Sequence, residues 1–391
     1  MQLLLLVLLS IASALELEMS IPSFVDIANF FNASEEMMGF TISINVIAFA
    51  VTSFLYGPLT DVYGRKKVLV LGNIAMSIGA IGCVFSQSIT MLLVSRFIQG
   101  LGAASSVVIV PIIVSEIYKG DQSSKVFNII VGCTTVFTAI APILGGFINY
   151  SLGWRWNYGV MAIISVIVTL LLIFLKETKK DEKSSFNFIK ILKDYKLVIF
   201  SLKFFSASSI CNLLYGLYVA FIAYSAFLYM KVFGLTEIQY SLHQGFVVCA
   251  SAIMSFSIGL SKAKELNIKL LLFIASILII FGSCIIMISR ISYLTTLGMS
   301  IFILGETLSF SLVFSYSMQI FPNLRGVASS VNIGMGSIMF SILVSIATLL
   351  YDGSSFKIGL LIFIISMLTI SMTYYLNSVK LFDREEKELS K

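Results

Sequence analysis

The chain has 391 residues, of which 58% are hydrophobic and only 12% charged, more apolar surface than one water-soluble core hides. The net charge is +6, from 26 Lys and Arg against 20 Asp and Glu. A single His243, five cysteines (Cys83, Cys133, Cys211, Cys249, Cys284) scattered through apolar segments, and the lack of an HExxH or Walker-type glycine loop exclude a recognisable zinc hydrolase or ATP-driven pump.

Apolar runs of about 20 residues, each long enough to cross roughly 30 Å of hydrocarbon, recur along the chain. The first lies near 3–23. Its opening stretch ends in Ala12-Ser13-Ala14, as a cleavable leader would, but no basic residue precedes it, so an uncleaved first helix is expected. Five more runs fall near 39–58, 68–87, 91–112, 126–149 and 157–175. The polar interval 176–203 follows, where Phe186, Phe188, Ile189, Ile191 and Leu192 interleave with Lys190, Lys193 and Lys196. That pattern suits a helix along a membrane surface or a solvated basic loop. Six further runs fall near 205–230, 239–260, 268–288, 294–317, 327–350 and 357–378.

The sequence thus predicts an all-α polytopic membrane protein with 12 transmembrane helices in two six-helix bundles: 1–175, a cytosolic linker at 176–203, 204–378, and a cytosolic tail at 379–391. No ten-residue alternation recurs, so a transmembrane barrel is excluded, and helices alone satisfy the backbone in lipid. With the N-terminus in the cytosol, Arg65, Lys66, Lys67, Lys119, Lys125, the linker lysines, Lys262, Lys264, Lys269, Arg325 and the tail cations all face inward. Outward loops keep only Arg155, Lys231, Arg290 and Lys357, which places both termini inside.

The strongest local signal is the string Gly57-Pro58-Leu59-Thr60-Asp61-Val62-Tyr63-Gly64-Arg65-Lys66-Lys67 in the turn between the second and third spans. Gly57 and Gly64 allow a sharp turn and close backbone approach, while Asp61 and Arg65 set opposite charges one helical turn apart. Such a pair locks one packing and releases another.

Here the sequence resembles the major facilitator superfamily, whose hallmark is this string. Leu92 to Ala104, with Arg96, Gln99, Gly100 and Gly102, is similar to the family's fourth-helix motif, which places an arginine inside the membrane. Ala141-Pro142-Ile143-Leu144-Gly145-Gly146 resembles the fifth-helix motif associated with antiporters, with Ala141 and Phe137 where glycines are usual. Leu55-Tyr56-Gly57-Pro58-Leu59, Glu18-Met19-Ser20-Ile21-Pro22 and Trp154-Arg155-Trp156-Asn157 resemble the bicyclomycin and chloramphenicol resistance exporters (the Bcr/CflA drug:proton antiporters), whose first helix carries aspartate where Glu18 stands. Arg325-Gly326-Val327-Ala328-Ser329-Ser330 is similar to the turn entering the eleventh helix, and Ala226 stands where a proline is common.

A charge in mid-membrane costs roughly 2.5–3.5 kcal/mol, so Glu16, Glu18, Arg96 and Glu306 need polar surroundings. A carboxylate in apolar surroundings holds its proton to higher pH and can load it on one side and release it on the other. Glu18 and Arg96 lie at depths that allow an approach between the first and fourth helices. Glu18 is then a proton or cationic-substrate site, or a carboxylate near the outer interface; Arg96 is its exchange partner, or a structural bridge. Glu306 is a second-half cation site or an acid bonded to a neighbour. Glu16, about 200° around the helix from Glu18, is not expected to share its cavity. Gly100, Gly102, Gly145 and Gly146 permit close helix packing. Tyr215, Tyr218, Phe221, Tyr224 and Phe227 form one aromatic stripe on the seventh span, read as packing or, at Tyr218 and Tyr224, as lining for a substrate cavity.

The resemblance implies a proton-coupled exporter working by alternating access in a bacterial inner membrane, as a monomer. Its partners would be a small-molecule substrate, protons and lipid, with no nucleic acid, no cofactor and no metal. A nutrient or metabolite symporter of the same fold is the alternative, and a non-transporting sensor or scaffold a second. No nucleophile and base pair points to an enzyme.

Overall fold

The structure is a computed structural model that describes residues 2–118, 121–179, 188–260, 268–321 and 324–378. These form α1 (Gln2–Glu18), α2 (Phe24–Phe31), α3 (Glu35–Tyr63), α4 (Arg65–Val84), α5 (Ile89–Ile117), α6 (Asp121–Leu152), α7 (Arg155–Leu171), α8 (Phe188–Ile199), α9 (Leu202–Phe227), α10 (Glu237–Leu260), α11 (Ile268–Ile288), α12 (Ser292–Gln319), α13 (Arg325–Leu350) and α14 (Ser355–Ser378). No strand occurs among the described residues. Among the described residues, twelve stretches are long and apolar enough to cross a membrane: Gln2–Phe31, which joins α1 and α2, then α3 to α7 and α9 to α14. The all-α fold with twelve spans is therefore the one the hydropathy pattern predicts. A helix, α8, occupies the interval where a surface helix was one of two expectations. Phe186, Lys119, Lys262, Lys264 and the tail 379–391 lie outside the described residues.

Local chemistry explains the helix ends. The hydroxyls of Ser34, Ser88 and Ser201 accept the backbone N–H groups of Met37, Met91 and Phe204, capping the starts of α3, α5 and α9. Asn32 closes α2 in the left-handed region at φ 50°. Gly64 breaks the chain between α3 and α4 at φ 94°, a conformation that side chains rarely adopt. Within the spans, many hydroxyls bond carbonyls one turn back, as Ser77 does on Asn73 and Ser276 on Leu272, which lowers the cost of taking them out of water.

By contact the chain divides into two units, Met1–Asp194 with Thr236–Leu242, and Tyr195–Leu235 with His243–Lys391. In the first, α1 packs on α5, α6 and α7, and α4 packs on α5 and α7. In the second, α9 packs on α12, α13 and α14, and α11 packs on α12 and α14. These pairings correspond helix for helix, whereas the close packing of α3 on α5 in the first unit has no equally close counterpart between α10 and α12 among the described residues. The outer faces are apolar where a soluble protein would be polar: Leu71, Ile74, Ile78 and Ile81 run down α4, and Phe273, Ile274, Ile277 and Phe281 down α11, all exposed. Lipid is the solvent those stripes match.

Candidate functional site

In the first unit the polar interior is assembled from α1, α3, α5 and α7. Arg96 is 0% exposed, and its Nη1 meets Glu16 Oε1 at 2.5 Å and donates to Gln99 Oε1 at 2.9 Å. Asn45 Nδ2 donates to the same Glu16 oxygen and to the Arg96 carbonyl, both at 2.9 Å, so α3 fastens α1 to α5. The guanidinium lies 5.9 Å from the ring centre of buried Tyr158 on α7. Arg96 Nε and Nη2 and Gln99 Nε2 are buried without a hydrogen-bond partner among the described residues. Gly100, one residue beyond, lets the Asn45 carbonyl approach so closely that a Cβ would collide with it.

The ion pair placed by sequence between Glu18 and Arg96 is thus made by Glu16. Both acids are enclosed by protein: Glu16 is 4% and Glu18 3% exposed. The rotation between them is real, but α1 ends at Glu18 and the chain turns into the short helix Ile21–Ser23, so both stay enclosed. Beside this break stands the antiporter-like motif of α6, with Pro142 inside the helix. Gly145 packs against the Met19 carbonyl, and Asn157 Nδ2 donates to the Gly145 carbonyl at 3.0 Å and to Ser23 Oγ at 2.5 Å. Gly146 faces Ser241.

At the turn after α3, Arg65 Nη1 pairs with Asp61 Oδ1 at 2.7 Å, the contact their spacing predicts. Arg65 also reaches Glu116 Oε1 at the end of α5, through Nη2 at 2.9 Å and Nε at 3.1 Å. Glu116 accepts the Thr178 hydroxyl at 2.5 Å. Glu177 accepts the first N–H groups of α4, from Arg65 at 2.9 Å and Lys66 at 3.2 Å. Partial burial pushes its carboxyl up, but the N–H groups of Lys179, Arg65, Lys66 and Thr178 win and hold it below the usual carboxylate range. Lys66 Nζ donates to the Ile173 carbonyl at 2.8 Å, and the Gly57 carbonyl accepts the Thr60 hydroxyl at 2.7 Å. Glu116 and Glu177 were not found by sequence; acids at the ends of the fourth and sixth spans, beside a basic turn, were the available signal.

In the second unit Glu306 on α12 is 4% exposed and accepts the Thr307 hydroxyl at 3.1 Å, which in turn meets Ser251 Oγ on α10 at 2.9 Å. Cys211 on α9 lies within its electrostatic reach. Nearby in the chain, Asn212 and Ser208 of α9 bond the side chain of Asn332 on α13. The aromatic stripe of α9 is packed: Tyr218 accepts from Gln244 Nε2 at 3.4 Å, and Tyr224 lies against Phe221 and Tyr351. Both tyrosines are buried. A cavity of about 570 Å³ in this unit is lined instead by Leu228, Phe233, Ser289, Arg290, Ser354 and Phe356, among others.

Twelve membrane-length helices among the described residues, in two units that each bury titratable side chains, define a polytopic membrane protein. The chain matches the Major Facilitator Superfamily model over residues 6–344 and belongs to that family. It is 26% identical over 379 residues to the uncharacterized MFS-type transporter YdgK of Bacillus subtilis (strain 168), covering 93% of this chain and 92% of that protein. It is 27% identical over 309 residues to the multidrug resistance protein MdtL of Shigella dysenteriae serotype 1, covering 76% of each. Among solved structures it superposes on the xylose transporter XylE from E. coli in a partially occluded inward-open conformation (TM-score 0.77, 12% identity, 96% of both chains). It also superposes on the human organic anion transporter MFSD10 (TM-score 0.68, 15% identity, 95% and 97%). At those identities the structural likeness concerns the fold alone.

Proposed function

We propose that this transporter exports small molecules in exchange for protons by alternating access. The observation that carries it is a pair of carboxylates buried in apolar helices, Glu16 against Arg96 in one unit and Glu306 in the other. Burying such charges costs several kcal/mol, a cost without return unless they titrate or bind during the cycle. Kinship with MdtL favours a drug-like cargo and the outward direction. The likeness to a D-xylose-proton symporter, at 14% identity, leaves uptake as the competing direction on the same fold.

Glu306, and Glu18 beside the Glu16–Arg96 pair, are the proton-carrying candidates. The Asp61–Arg65–Glu116 network with Gly57, Gly64 and Lys66 is the conformational switch, and Gln99, Gly100, Pro142, Gly145 and Gly146 are the surfaces on which helices rock. The protein works as a monomer in a bacterial inner membrane, and the one-sided placing of its loop cations supports cytosolic termini. The test is an efflux screen in a pump-deficient bacterium, with flux into inverted vesicles under a pH gradient and Arg96→Ala as control. Substrate-dependent proton release from acidified vesicles supports antiport; co-movement of proton and substrate in one direction defeats it.

A further inference from the structure

Away from both buried charge sites, a second set of acids meets in the first unit. Asp26 on α2 and Glu237, the first residue of α10, interact side chain to side chain, and both engage Asn149 on α6. Asn149 is 4% exposed, and its Nδ2 donates to Asp26 Oδ2 at 2.6 Å. Its Oδ1 and Glu237 Oε2 are both shut off from solvent and have no hydrogen-bond partner among the described residues. Close approach is built in here: a Cβ on Gly146 would strike the Ser241 hydroxyl, and the Glu237 carbonyl lies 3.2 Å from that position.

The hydrogen count is short by one. Two ionised carboxyl groups and an amide oxygen offer acceptors only, and among these three side chains the donor is the Asn149 amide. Two adjacent carboxylates also repel. One proton added to a carboxyl oxygen answers both deficits, removing a charge and supplying the absent O–H. Among the described residues, Asp26 is the titratable group facing Glu237; α6 brings only the neutral Asn149. His243, further along α10, is bonded to Thr296 at 2.7 Å.

We propose that Asp26, Asn149 and Glu237 form a proton-binding site, in which one hydrogen shared by the two carboxyl groups holds the first turn of α10, residues 236–242, to α2 and α6, and whose loss releases that turn. The site stands on its own geometry and is independent of cargo and transport direction.

The test is hydrogen–deuterium exchange of the backbone amides of 236–242 in the full-length protein in nanodiscs, corrected for chemical exchange, followed from about pH 5.5 to about pH 8.5. In the wild type, opening increases about tenfold per pH unit through the transition, as loss of one proton requires. Glu237→Gln and Asp26→Asn each remove the charge and supply an N–H, and each holds exchange low and flat. Cysteine labelling of Ser241→Cys in a background without native cysteines follows the same profile. A wild-type profile independent of pH, or a slope kept by both variants, overturns the site. Protection restored at high pH by sodium would assign it to a metal cation and overturn the proton.

Discussion

Arg96 and Glu16 meet at 2.5 Å across α5 and α1, in a place where the arginine is 0% and the glutamate 4% exposed. A pair so enclosed is held as much by Asn45 and Gln99 as by its own attraction, because each of them occupies an oxygen or proton that water cannot reach.

Removing one partner leaves the other charge stranded. Arg96→Ala or Glu16→Ala should destabilise the protein by about 3–5 kcal/mol, read as a fall in thermal unfolding temperature in detergent. Replacing both with leucine should recover much of that loss, because no unpaired charge is left. Transport should stay absent in the double variant, which separates coupling from folding. Recovery of flux in the double variant would reduce the pair to a structural bridge.

Glu306→Gln keeps an oxygen for Thr307 but cannot ionise. Flux driven by a pH gradient in proteoliposomes should disappear, while substrate exchange at equal pH continues. Glu18→Gln is the comparison: if that variant keeps full gradient-driven transport, Glu18 is off the proton path.

Glu177 caps α4 from beyond the sixth span, and Glu177→Ala should cost about 1 kcal/mol, the scale of a lost helix cap. The folded carboxyl is held lower than in the unfolded chain, so its contribution is complete above the ordinary carboxylate range and is lost as pH falls through the lowered value. Acid unfolding followed by tryptophan fluorescence should therefore show a shallower low-pH limb in Glu177→Gln than in wild type.

Gly100 has no room for a Cβ because the Asn45 carbonyl occupies that space. Gly100→Ala should force α3 and α5 apart at a cost of about 1–3 kcal/mol. It should also disturb the Glu16 contact made by Asn45, lowering transport more than expression level. Equal flux at equal protein amount would show that the close approach is dispensable.

The spans were legible because lipid leaves the backbone one solution, and a hydropathy window finds it. The Asp61–Arg65 pair was legible too, since four residues of spacing bring their side chains together. Which glutamate meets Arg96 was not, because that depends on the rotational phase of a helix that ends at Glu18. Glu116 and Glu177 were hidden for another reason: they join Arg65 across 51 and 112 residues, distances over which composition carries no geometric signal. Tyr218 and Tyr224 show the limit of periodicity, which finds a face without naming what covers it.

The hold of Glu177 on the start of α4 also dictates where this chain can be cut. If the two halves were expressed as separate polypeptides, a gap opened at residue 175 would leave the amides of Arg65 and Lys66 facing nothing and would strip Thr178 from Glu116. Moving the scission past residue 179 keeps these bonds, and with them the Lys179 ammonium on the Val62 carbonyl, inside the leading fragment.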